Sequence, residues 1–270
     1  MQLLDFSNKT VVITGAASGM GAETTRLLQQ QGAWVVALDL VAVEADVRFV
    51  GCDLGDPASI DAAVAQLPER VDVLMNCAGV PNGGRFSPEE VLRVNWLGLR
   101  HLTESALSRM SEGAAVVHIA STAGRAWTDH IEEHQQLMRA ASFTDGLAWV
   151  AANESVIGDG YAFSKEAVQY YTMWRAVQLL PRGIRMNSIC PGITDTGIIS
   201  DFRKGMGDDI IDHAERVAGR MAQPAEMAPA MLFLADNASS SYINGVNLNI
   251  DRGTGAARLT SQSDPALIWN

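Results

Sequence analysis

Residues 10–21 read TVVITGAASGMG, and this stretch decides the fold. Residues 10–14 are rich in β-branched side chains and almost wholly apolar, which is typical of a strand buried on both faces of a parallel sheet. The glycine-rich run from Gly15 to Gly21 follows directly, and residues 22–31 predict a helix. Strand, glycine loop and helix form the context that a dinucleotide site requires, although the spacing is G-x-x-x-G-x-G and not the standard G-x-G-x-x-G.

The glycine loop could hold a dinucleotide in two ways. Its glycines permit a tight turn and close approach of the backbone. The start of the helix presents free N–H groups and the positive end of its dipole to a pyrophosphate. We therefore predict cofactor contacts from Gly15, Ser18, Gly19, Met20 and Gly21. The alternative is a glycine-rich turn that binds no ligand.

Asp39 ends the second predicted strand, residues 34–38. A carboxylate at this position can accept hydrogen bonds from both hydroxyls of the adenosine ribose, and it would repel a 2′-phosphate. No Arg or Lys adjoins Asp39, and Ser18 in the glycine loop is neutral. These observations favour NAD over NADP as the cofactor. The alternative is that Asp39 only caps the next turn.

Polar or small residues follow the later predicted strands, which span residues 47–50, 71–75, 115–120, 185–189 and 246–250. The third strand comes too soon after the second for a crossover helix. Asp53 could contact the adenine amino group or cap the helix that begins near Pro57. The small residues 76–79 would let the chain pass close to a cofactor. Ser121 places a hydroxyl at the carboxyl end of a strand, where α/β sheets bind ligands.

Tyr161 and Lys165 are four residues apart in a segment, residues 162–180, that predicts a helix. Residues at this spacing share one face of a helix. A nearby cation favours the phenolate and lowers the tyrosine pKa from its reference of about 10. The pair could take a proton from an alcohol or give one to a carbonyl. The motif alone is weak, and the alternative is an ordinary pair on a helix surface.

Residues 88–110 predict a long helix with Asn95 in its interior. Asparagine is unfavourable there, because its side chain competes for backbone hydrogen bonds. We therefore predict a local kink or a hydrogen-bonding role for Asn95. The alternative is an amide that is satisfied in the core.

Composition limits the possible functions. The chain has 270 residues, within the range of one α/β domain, and its net charge of −11 argues against binding to nucleic acid or to an anionic membrane. No apolar stretch is long enough to span a membrane, and residues 1–9 do not resemble a signal peptide. Three cysteines without a C-x-x-C pair fit a reducing compartment, so we predict a cytoplasmic protein with buried, unreactive thiols. His118, inside the fifth strand, is interpreted as a packed or surface residue.

The motifs together resemble those of the short-chain dehydrogenases/reductases. The matching residues occur in the family order and span most of the chain: Thr14-Gly15-x-x-x-Gly19-x-Gly21, Asp39, Asp53, Asn76-x-Ala78-Gly79, Asn95, Ser121, Tyr161-x-x-x-Lys165 and Pro191-Gly192. The resemblance implies a doubly wound, seven-stranded parallel sheet of Rossmann type with strand order 3-2-1-4-5-6-7. It also implies nicotinamide-dependent oxidation of an alcohol or reduction of a carbonyl.

The resemblance implies a role for each site residue. Tyr161 is the acid/base, Ser121 holds the substrate oxygen, Lys165 lowers the tyrosine pKa and holds the nicotinamide ribose, and Asn95 positions a water in a proton relay. Further cofactor contacts are implied at Leu40, Asp53, Leu54, Asn76, Ala78, Gly79, Pro191, Gly192, Ile193, Thr194 and Thr196. For the two threonines, capping of a turn is the alternative.

Two features depart from the common family pattern. Ser121 and Tyr161 are separated by the long segment 122–160, and the usual D-G-G near the C-terminus is Asp251-Arg252-Gly253. The long segment, the missing helix after Asp39 and the phrase NWLGLR at residues 95–100 resemble a bacterial subgroup. It contains coniferyl-alcohol dehydrogenases and 3α-hydroxysteroid dehydrogenase/carbonyl reductases. This likeness favours a hydrophobic aromatic or alicyclic alcohol or carbonyl as the substrate, of the aryl or coniferyl type first.

The insertion, residues about 126–156, predicts helices at 131–141 and 143–153. His130 to His134 reads H-x-x-E-H, a pattern of zinc proteases. A metal site needs a third ligand, and the sequence offers no obvious one, so we predict no metal. Trp127 and Trp149 flank the segment. They could form an apolar lid over a hydrophobic substrate, or they could anchor the segment in the core.

Residues 194–222 follow a strand end and contain glycines and helical pieces, which predicts a mobile substrate lid. We expect a homo-oligomer, a dimer or tetramer, although the insertion could block or rebuild a subunit contact. The tail, residues 254–270, docks on a neighbouring subunit or frays. Two rival functions are a non-catalytic sensor of the NADH/NAD ratio and a metal hydrolase built on the insertion histidines.

Overall fold

The computed structural model describes residues 4–262 and residue 264. The strands in this part of the chain are β1 Thr10–Thr14, β2 Trp34–Asp39, β3 Arg48–Gly51, β4 Val73–Asn76, β5 Ala115–Ile119, β6 Arg185–Pro191 and β7 Asn247–Ile250. They form one sheet in the order β3-β2-β1-β4-β5-β6-β7, and every neighbouring pair is parallel. The doubly wound, single-domain fold and the strand order predicted from the sequence are confirmed, with small shifts at the strand ends.

The strand order places a crevice beside β1. The chain runs outward from β1 through β2 to β3, and it then returns to form β4 on the opposite side of β1. Connections that leave in opposite directions open a crevice at the carboxyl ends of the two central strands, which is where open α/β sheets bind ligands.

Helices cover both faces of the sheet. In chain order they are α1 Gly19–Gln30, α2 Pro57–Ala65, α3 Pro88–Leu92, α4 Leu99–Ala106, α5 Ile131–Met138, α6 Phe143–Ala152, α7 Glu154–Ile157, α8 Tyr161–Leu179, α9 Ile199–Met206, α10 Asp208–Ala218, α11 Ala228–Ala235, α12 Asn237–Ser240 and α13 Thr254–Leu259.

Alternating residues of each strand supply two cores. Val12 belongs to the core that contains residues of α2, α4 and α8. Val11 and Ile13 belong to the core that contains residues of α1 and α11. Successive side chains of a strand point to opposite faces, so a strand covered on both sides must be apolar throughout. All three side chains are fully buried, and each contributes about 1.5–3 kcal/mol by burial.

The predicted long helix around Asn95 is interrupted by a π-helical turn. α3 begins with a capping box between Ser87 and Glu90. A π-helical turn at Arg93–Gly98 separates α3 from α4. Such wide turns inside helices occur frequently at functional sites. The predicted long helix is therefore irregular around Asn95.

The insertion folds as short helices packed on α8. A 3-10 segment, Thr122–His130, leads into α5, α6 and α7. Trp149 stacks on Phe163 of α8 at 5.8 Å between ring centroids, and Trp127 lies 6.3 Å from Tyr170 of the same helix. These contacts support the interpretation of both tryptophans as anchors and not as a lid over substrate.

Residues 194–222, predicted as a lid, contain α9 and α10, joined at Gly207 with φ +94°. Arg203 of α9 ties the two helices together through Asp208 and Asp212, at 3.1 and 2.7 Å. The expectation for the end of the tail falls on residues 265–270, outside the described residues. In the described part of the chain, no helix combines the length and apolar character that a membrane crossing requires.

Candidate active site

A cavity of about 570 Å³ lies at the carboxyl ends of the strands. Its volume is within the range of about 300–1,000 Å³ that is typical of small-molecule sites. Loops that follow β4, β5 and β6 line one side, and α9 and α10 line the other. The predicted site residues that line it are Met20, Gly79, Ser121, Tyr161, Lys165, Pro191, Gly192, Ile193, Thr194 and Thr196.

Tyr161 and Lys165 project from the first turns of α8. The helix follows Gly160, whose φ is +83° and whose Cβ, if present, would lie 2.6 Å from the Pro88 carbonyl oxygen. Asp159 Oδ1 accepts a hydrogen bond of 3.0 Å from the Tyr161 N–H and so caps the helix. Lys165 Nζ lies 5.8 Å from the Tyr161 ring centroid and donates to the Ile119 carbonyl at 3.0 Å. The predicted shared face is therefore present.

Burial dominates the protonation of this pair. Burial raises the pKa of Tyr161 to about 12. The hydrogen bond with the Ser121 hydroxyl acts in the opposite direction, and the negative charge of Asp159 adds to the rise. Burial likewise lowers the pKa of Lys165 to about 8. The expected fall of the tyrosine pKa is therefore wrong for this structure, because the cost of desolvating the phenolate outweighs the hydrogen bond from Ser121 that favours it.

Ser121 follows β5 and starts the insertion. Its Oγ accepts a hydrogen bond of 3.1 Å from the Ala123 N–H, and its carbonyl accepts one of 2.7 Å from Gln169 of α8. A Cβ on Gly124 would lie 2.5 Å from the Lys165 carbonyl carbon. The chain after Ser121 thus lies directly on α8, which brings the serine beside Tyr161 despite the long insertion.

Asn95 lies behind the cavity and does not line it. Its Oδ1 accepts from the Val80 N–H at 2.7 Å, and its Nδ2 donates to the Val80 carbonyl at 2.9 Å and to Ser164 Oγ at 3.3 Å. A Cβ on Gly79 would lie 3.2 Å from Asn95 Oδ1 and 3.4 Å from Lys165 Nζ. Asn95 therefore makes the predicted hydrogen bonds, as a buried and satisfied amide that holds this segment close to Lys165.

The glycine loop closes tightly on itself and on the end of β4. A Cβ on Gly21 would lie 2.0 Å from the Gly15 carbonyl oxygen, and one on Gly15, where φ is +66°, would lie 2.7 Å from the Ala78 N. Thr14 Oγ1 accepts from the Ala78 N–H at 3.1 Å. Ser18 is the N-cap of α1 but makes no capping bond with its side chain. The loop therefore keeps the helix start open, as a pyrophosphate site requires.

Asp39 fastens the glycine loop to β2. Its Oδ2 accepts from the Ala17 N–H at 3.0 Å, and its Oδ1 accepts from the Val41 N–H at 3.3 Å. Oδ1 thus caps the turn that follows β2, as the alternative proposed, while Oδ2 holds the glycine loop. The neighbouring Leu40 is 72% exposed.

Three of the predicted contact residues turn their side chains elsewhere. Asp53 accepts from the Gly55 N–H at 2.7 Å, and α2 is capped by Asp56, so the capping alternative for Asp53 is wrong. Leu54 is buried in the core. Asn76 Nδ2 bonds to Thr103 Oγ1 and lies 3.0 Å from His118 Nδ1. Leu54 and Asn76 can therefore meet a ligand only through their backbone.

His118 and the cysteines are unreactive in this environment. Burial lowers the pKa of the fully buried His118 to about 3, which confirms it as a packed, neutral residue. Burial raises the thiol pKa of Cys52 and Cys190 to about 11 and that of Cys77 further. Cys77 is only partly buried and lines the cavity, but thiols this weakly acidic are poor nucleophiles.

The apolar wall of the cavity was not identified residue by residue from the sequence. Phe202 of α9 packs edge-on against Tyr161, with ring centroids 4.7 Å apart. Apolar residues at helical spacing in 198–218 were a usable signal, because they form one face of α9 and of α10. The wall residues on these helices are Ile199, Phe202, Met206, Ile210, Ile211, Ala214 and Ala218.

The departure at Asp251-Arg252-Gly253 has a backbone consequence. Arg252 adopts φ +51°, in the left-handed region that favours glycine, and it lines the cavity. The glycine that the family pattern places here suits this conformation better. An arginine in its place puts a guanidinium beside the substrate cavity.

Both the sequence and the fold of this chain are similar to those of known proteins. Residues 9–132 match the family described as short chain dehydrogenase, and residues 132–255 match the one described as Enoyl-(Acyl carrier protein) reductase. A coniferyl-alcohol dehydrogenase of Pseudomonas sp. (strain HR199 / DSM 7063) is 36% identical over 256 residues, covering 93% of this chain and 98% of that protein. The chain belongs to the short-chain dehydrogenase family. The predicted resemblance is confirmed.

Further relatives of this short-chain dehydrogenase support the predicted subgroup. A 3-alpha-hydroxysteroid dehydrogenase/carbonyl reductase of Comamonas testosteroni is 29% identical over 261 residues, covering 93% of this chain and 98% of that protein. The crystal structure of a 3-alpha-hydroxysteroid dehydrogenase from Pseudomonas sp. B-0831, complexed with NADH, superposes with a TM-score of 0.78 at 28% identity. That match covers 94% of this chain and 99% of the other.

Proposed function

We propose that this short-chain dehydrogenase is an NAD(H)-dependent oxidoreductase that interconverts an alcohol and a carbonyl on a hydrophobic aromatic or alicyclic substrate. Substrates of the aryl or coniferyl-alcohol type are favoured, and hydroxysteroids come next. The observation that carries the proposal is the convergence of Tyr161, Ser121 and Lys165 on one wall of an apolar cavity. A further support is the likeness to the coniferyl-alcohol dehydrogenase.

The residues of the crevice fit a dinucleotide. The glycine loop packs too closely on its own backbone to admit a side chain at Gly15 or Gly21, and the start of α1, which Ser18 does not cap with its side chain, would bind the pyrophosphate. Asp39 would meet the adenosine ribose, and its carboxylate would repel a 2′-phosphate, so NAD is favoured over NADP. The loop 191–196 would hold the nicotinamide end. When bound, the nicotinamide supplies or accepts the hydride.

Tyr161 moves the proton in this proposal. With a pKa of about 12 its phenol is protonated at neutral pH, so it can donate to a carbonyl oxygen during reduction. During alcohol oxidation the phenolate must form first. Ser121 would hold the substrate oxygen, and Lys165 would hold the nicotinamide ribose. Asn95 would act by holding residues 79–80 near Lys165, with the water relay implied by the family as its further role.

The cavity wall supports a hydrophobic substrate. Val80, Phe202, Met206 and Ile210 line the same cavity as Tyr161 and Ser121, and the Phe202 ring packs against Tyr161. Apolar walls favour ring systems, and they also exclude water from the reacting groups. We propose that α9 and α10 form the substrate lid. A cytoplasmic homo-oligomer, a dimer or tetramer, remains part of the proposal.

The first test is a pair of titrations with NADH and NADPH, followed through nicotinamide fluorescence, and then a turnover screen. The screen offers NAD with coniferyl alcohol, other benzylic alcohols and 3α-hydroxysteroids. Tight NADH binding with turnover on one class supports the proposal. Preference for NADPH would overturn the argument from Asp39. Tight NADH binding without any turnover would favour the sensor function.

A further inference from the structure

Three potential metal ligands meet where the insertion lies on α8. His130 is at the end of the 3-10 segment, His134 is in α5 and Glu166 is in α8. Their ligating atoms all lie within 4.8 Å of one another. The prediction of no metal depended on the lack of a third ligand for the H-x-x-E-H pattern, and this reason is wrong. Glu166, far along the chain, can serve as the third ligand, whereas the motif's own Glu133 is not part of the cluster.

The geometry brings both imidazoles to one carboxylate oxygen. His130 Nδ1 lies 2.7 Å from Glu166 Oε2, and His134 Nε2 lies 3.4 Å from the same atom. The two histidines are four residues apart and so share one side of the helix start. A single ion placed between them would therefore contact all three side chains.

The cluster is buried and its polar groups are poorly satisfied. His134 is fully buried and lies between the rings of Phe163 and Tyr170, with centroids at 4.8 and 5.5 Å. Neither of its ring nitrogens has a hydrogen-bond partner among the residues that the structure describes. A buried imidazole that lacks partners costs free energy unless something else binds it.

Glu166 adds a buried negative charge to the cluster. It is 3% exposed, and among the described residues its carboxylate makes a hydrogen bond and an ion pair with His130 and an ion pair with His134. Arg125 interacts with it only electrostatically, from further away. Burying a carboxylate costs free energy, which a cation held close to it in good geometry can offset. A bound metal ion would satisfy both this carboxylate and His134.

We propose that His130, His134 and Glu166 bind a divalent transition-metal ion, with zinc the best match. Two imidazole nitrogens and one carboxylate oxygen form a donor set that zinc accepts, and the fourth position of a tetrahedral site goes to water. None of the three residues lines the substrate cavity. The ion therefore clamps the insertion to the helix that carries Tyr161 and takes no part in proton transfer.

The distances show what must move when the ion binds. Zinc with ligands at about 2.0–2.2 Å keeps its donor atoms about 3.3–3.5 Å apart. The pair formed by His134 and Glu166 has this spacing already, at 3.4 Å. His130 must retreat by about 0.7 Å, which is feasible because its side chain is 35% exposed. His134 Nδ1 has no partner among the described residues, and such a missing outer bond weakens affinity by about 10–100-fold.

The test is a calorimetric titration of the full chain, free of any histidine tag and stripped with a chelator, with zinc chloride alone. We compare the parent with His130→Gln, which removes one ligand at a half-exposed position. The control is His101→Gln, because His101 is also paired with a carboxylate, Asp61, at 2.8 Å but lies outside the cluster. We expect one zinc per chain in the parent and in the control, and at least about tenfold weaker binding in His130→Gln.

A second variant and a second measurement guard against misfolding. Glu166→Gln keeps the shape of the side chain and removes its charge, so it should also lose zinc binding. Zinc should raise the melting temperature of the parent and of His101→Gln but not of the two cluster variants. Parent protein that binds zinc no more tightly than His130→Gln, or that gains no thermal stability from it, would overturn the proposal. Either result is independent of alcohol turnover.

Discussion

The glycine loop and the segment between Ser121 and Tyr161 both contain glycines that pack closely against other residues. In the loop the partner lies a few residues away in the sequence, and in the segment it lies far along the chain. In the loop, a Cβ on Gly21 would meet the carbonyl oxygen of Gly15 at 2.0 Å. In the insertion, a Cβ on Gly124 would meet the backbone of Lys165 at 2.5 Å, and one on Gly146 would meet Leu97 at 2.3 Å. The backbone contacts require glycine at positions 21 and 124, whereas at Gly146 the Leu97 side chain could move. Only the loop makes its contact within a single motif.

This difference explains what each region contributes. The loop's constraints are local, so its residues form a pattern that recurs wherever a dinucleotide is bound. The insertion is held by distant partners on α8, such as Phe163 under Trp149. We therefore expect changes in the loop to affect cofactor binding, and changes in the insertion to affect stability while cofactor binding is preserved.

The largest expected effect is at Tyr161, on the face of α8 that meets the cavity. Tyr161→Phe removes the acid/base, so kcat should fall by about 10²–10⁴-fold while NADH still binds. Tyr170→Phe is the matched control, because Tyr170 lies on the same helix but packs against the insertion residues His134 and Trp127. Steady-state turnover of both variants decides the point. Near-parental turnover of the Tyr161 variant, still folded and still binding NADH, would refute the proposed mechanism.

Gly21→Ala tests the loop side of the comparison. The added methyl collides with the Gly15 carbonyl, and overpacking of this kind costs about 1–3 kcal/mol in the free energy of unfolding. NADH affinity should fall too, because the loop must shift. The control is Gly51→Ala in β3, where no heavy atom lies within 4 Å of the new methyl. Urea denaturation and NADH titration measure both effects, and equal losses in the two variants would contradict the argument.

The pH dependence tests the burial of Tyr161 itself. Alcohol oxidation needs the phenolate, and because the pKa is about 12, its fraction grows about tenfold per pH unit through the neutral range. Reduction needs the phenol, which stays protonated there. The oxidation rate should therefore keep rising with pH through and above the neutral range. An oxidation rate that is already flat at neutral pH would show that the phenolate forms more easily than burial allows.

Trp149→Leu probes the insertion side and should have the smallest effect. It removes the stack on Phe163, which contributes about 0.5–1.5 kcal/mol beyond simple burial. NADH affinity should stay at the parental value. Trp34→Leu serves as the control, since Trp34 is 51% exposed at the start of β2. The comparison fails if the Trp149 variant weakens NADH binding as much as Gly21→Ala does.

Much of the candidate site was predictable because its residues occupy ends of strands and starts of helices. The glycine loop, Ser121, Tyr161 and Lys165 were each named from local context, and the structure places them at one crevice. Capping of α2 was considered for Asp53, but Asp56 caps the helix, and the sequence did not separate two aspartates that lie close before it. Phe202 was missed as an individual wall residue, because a helix pattern alone does not tell which cavity its apolar face covers.

The sequence by itself determined the strands, the glycine loop and the motifs, because backbone geometry and side-chain periodicity act over a few residues and leave a readable pattern. The strand order followed from the family that those motifs resemble. Only the tertiary structure decided which residues far apart in the chain meet. It brought Glu166 to His130 and His134, placed both insertion tryptophans on α8, and raised the pKa of Tyr161 to about 12. Burial and long-range contacts depend on the sum of all packed neighbours, and no spacing along the chain records that sum.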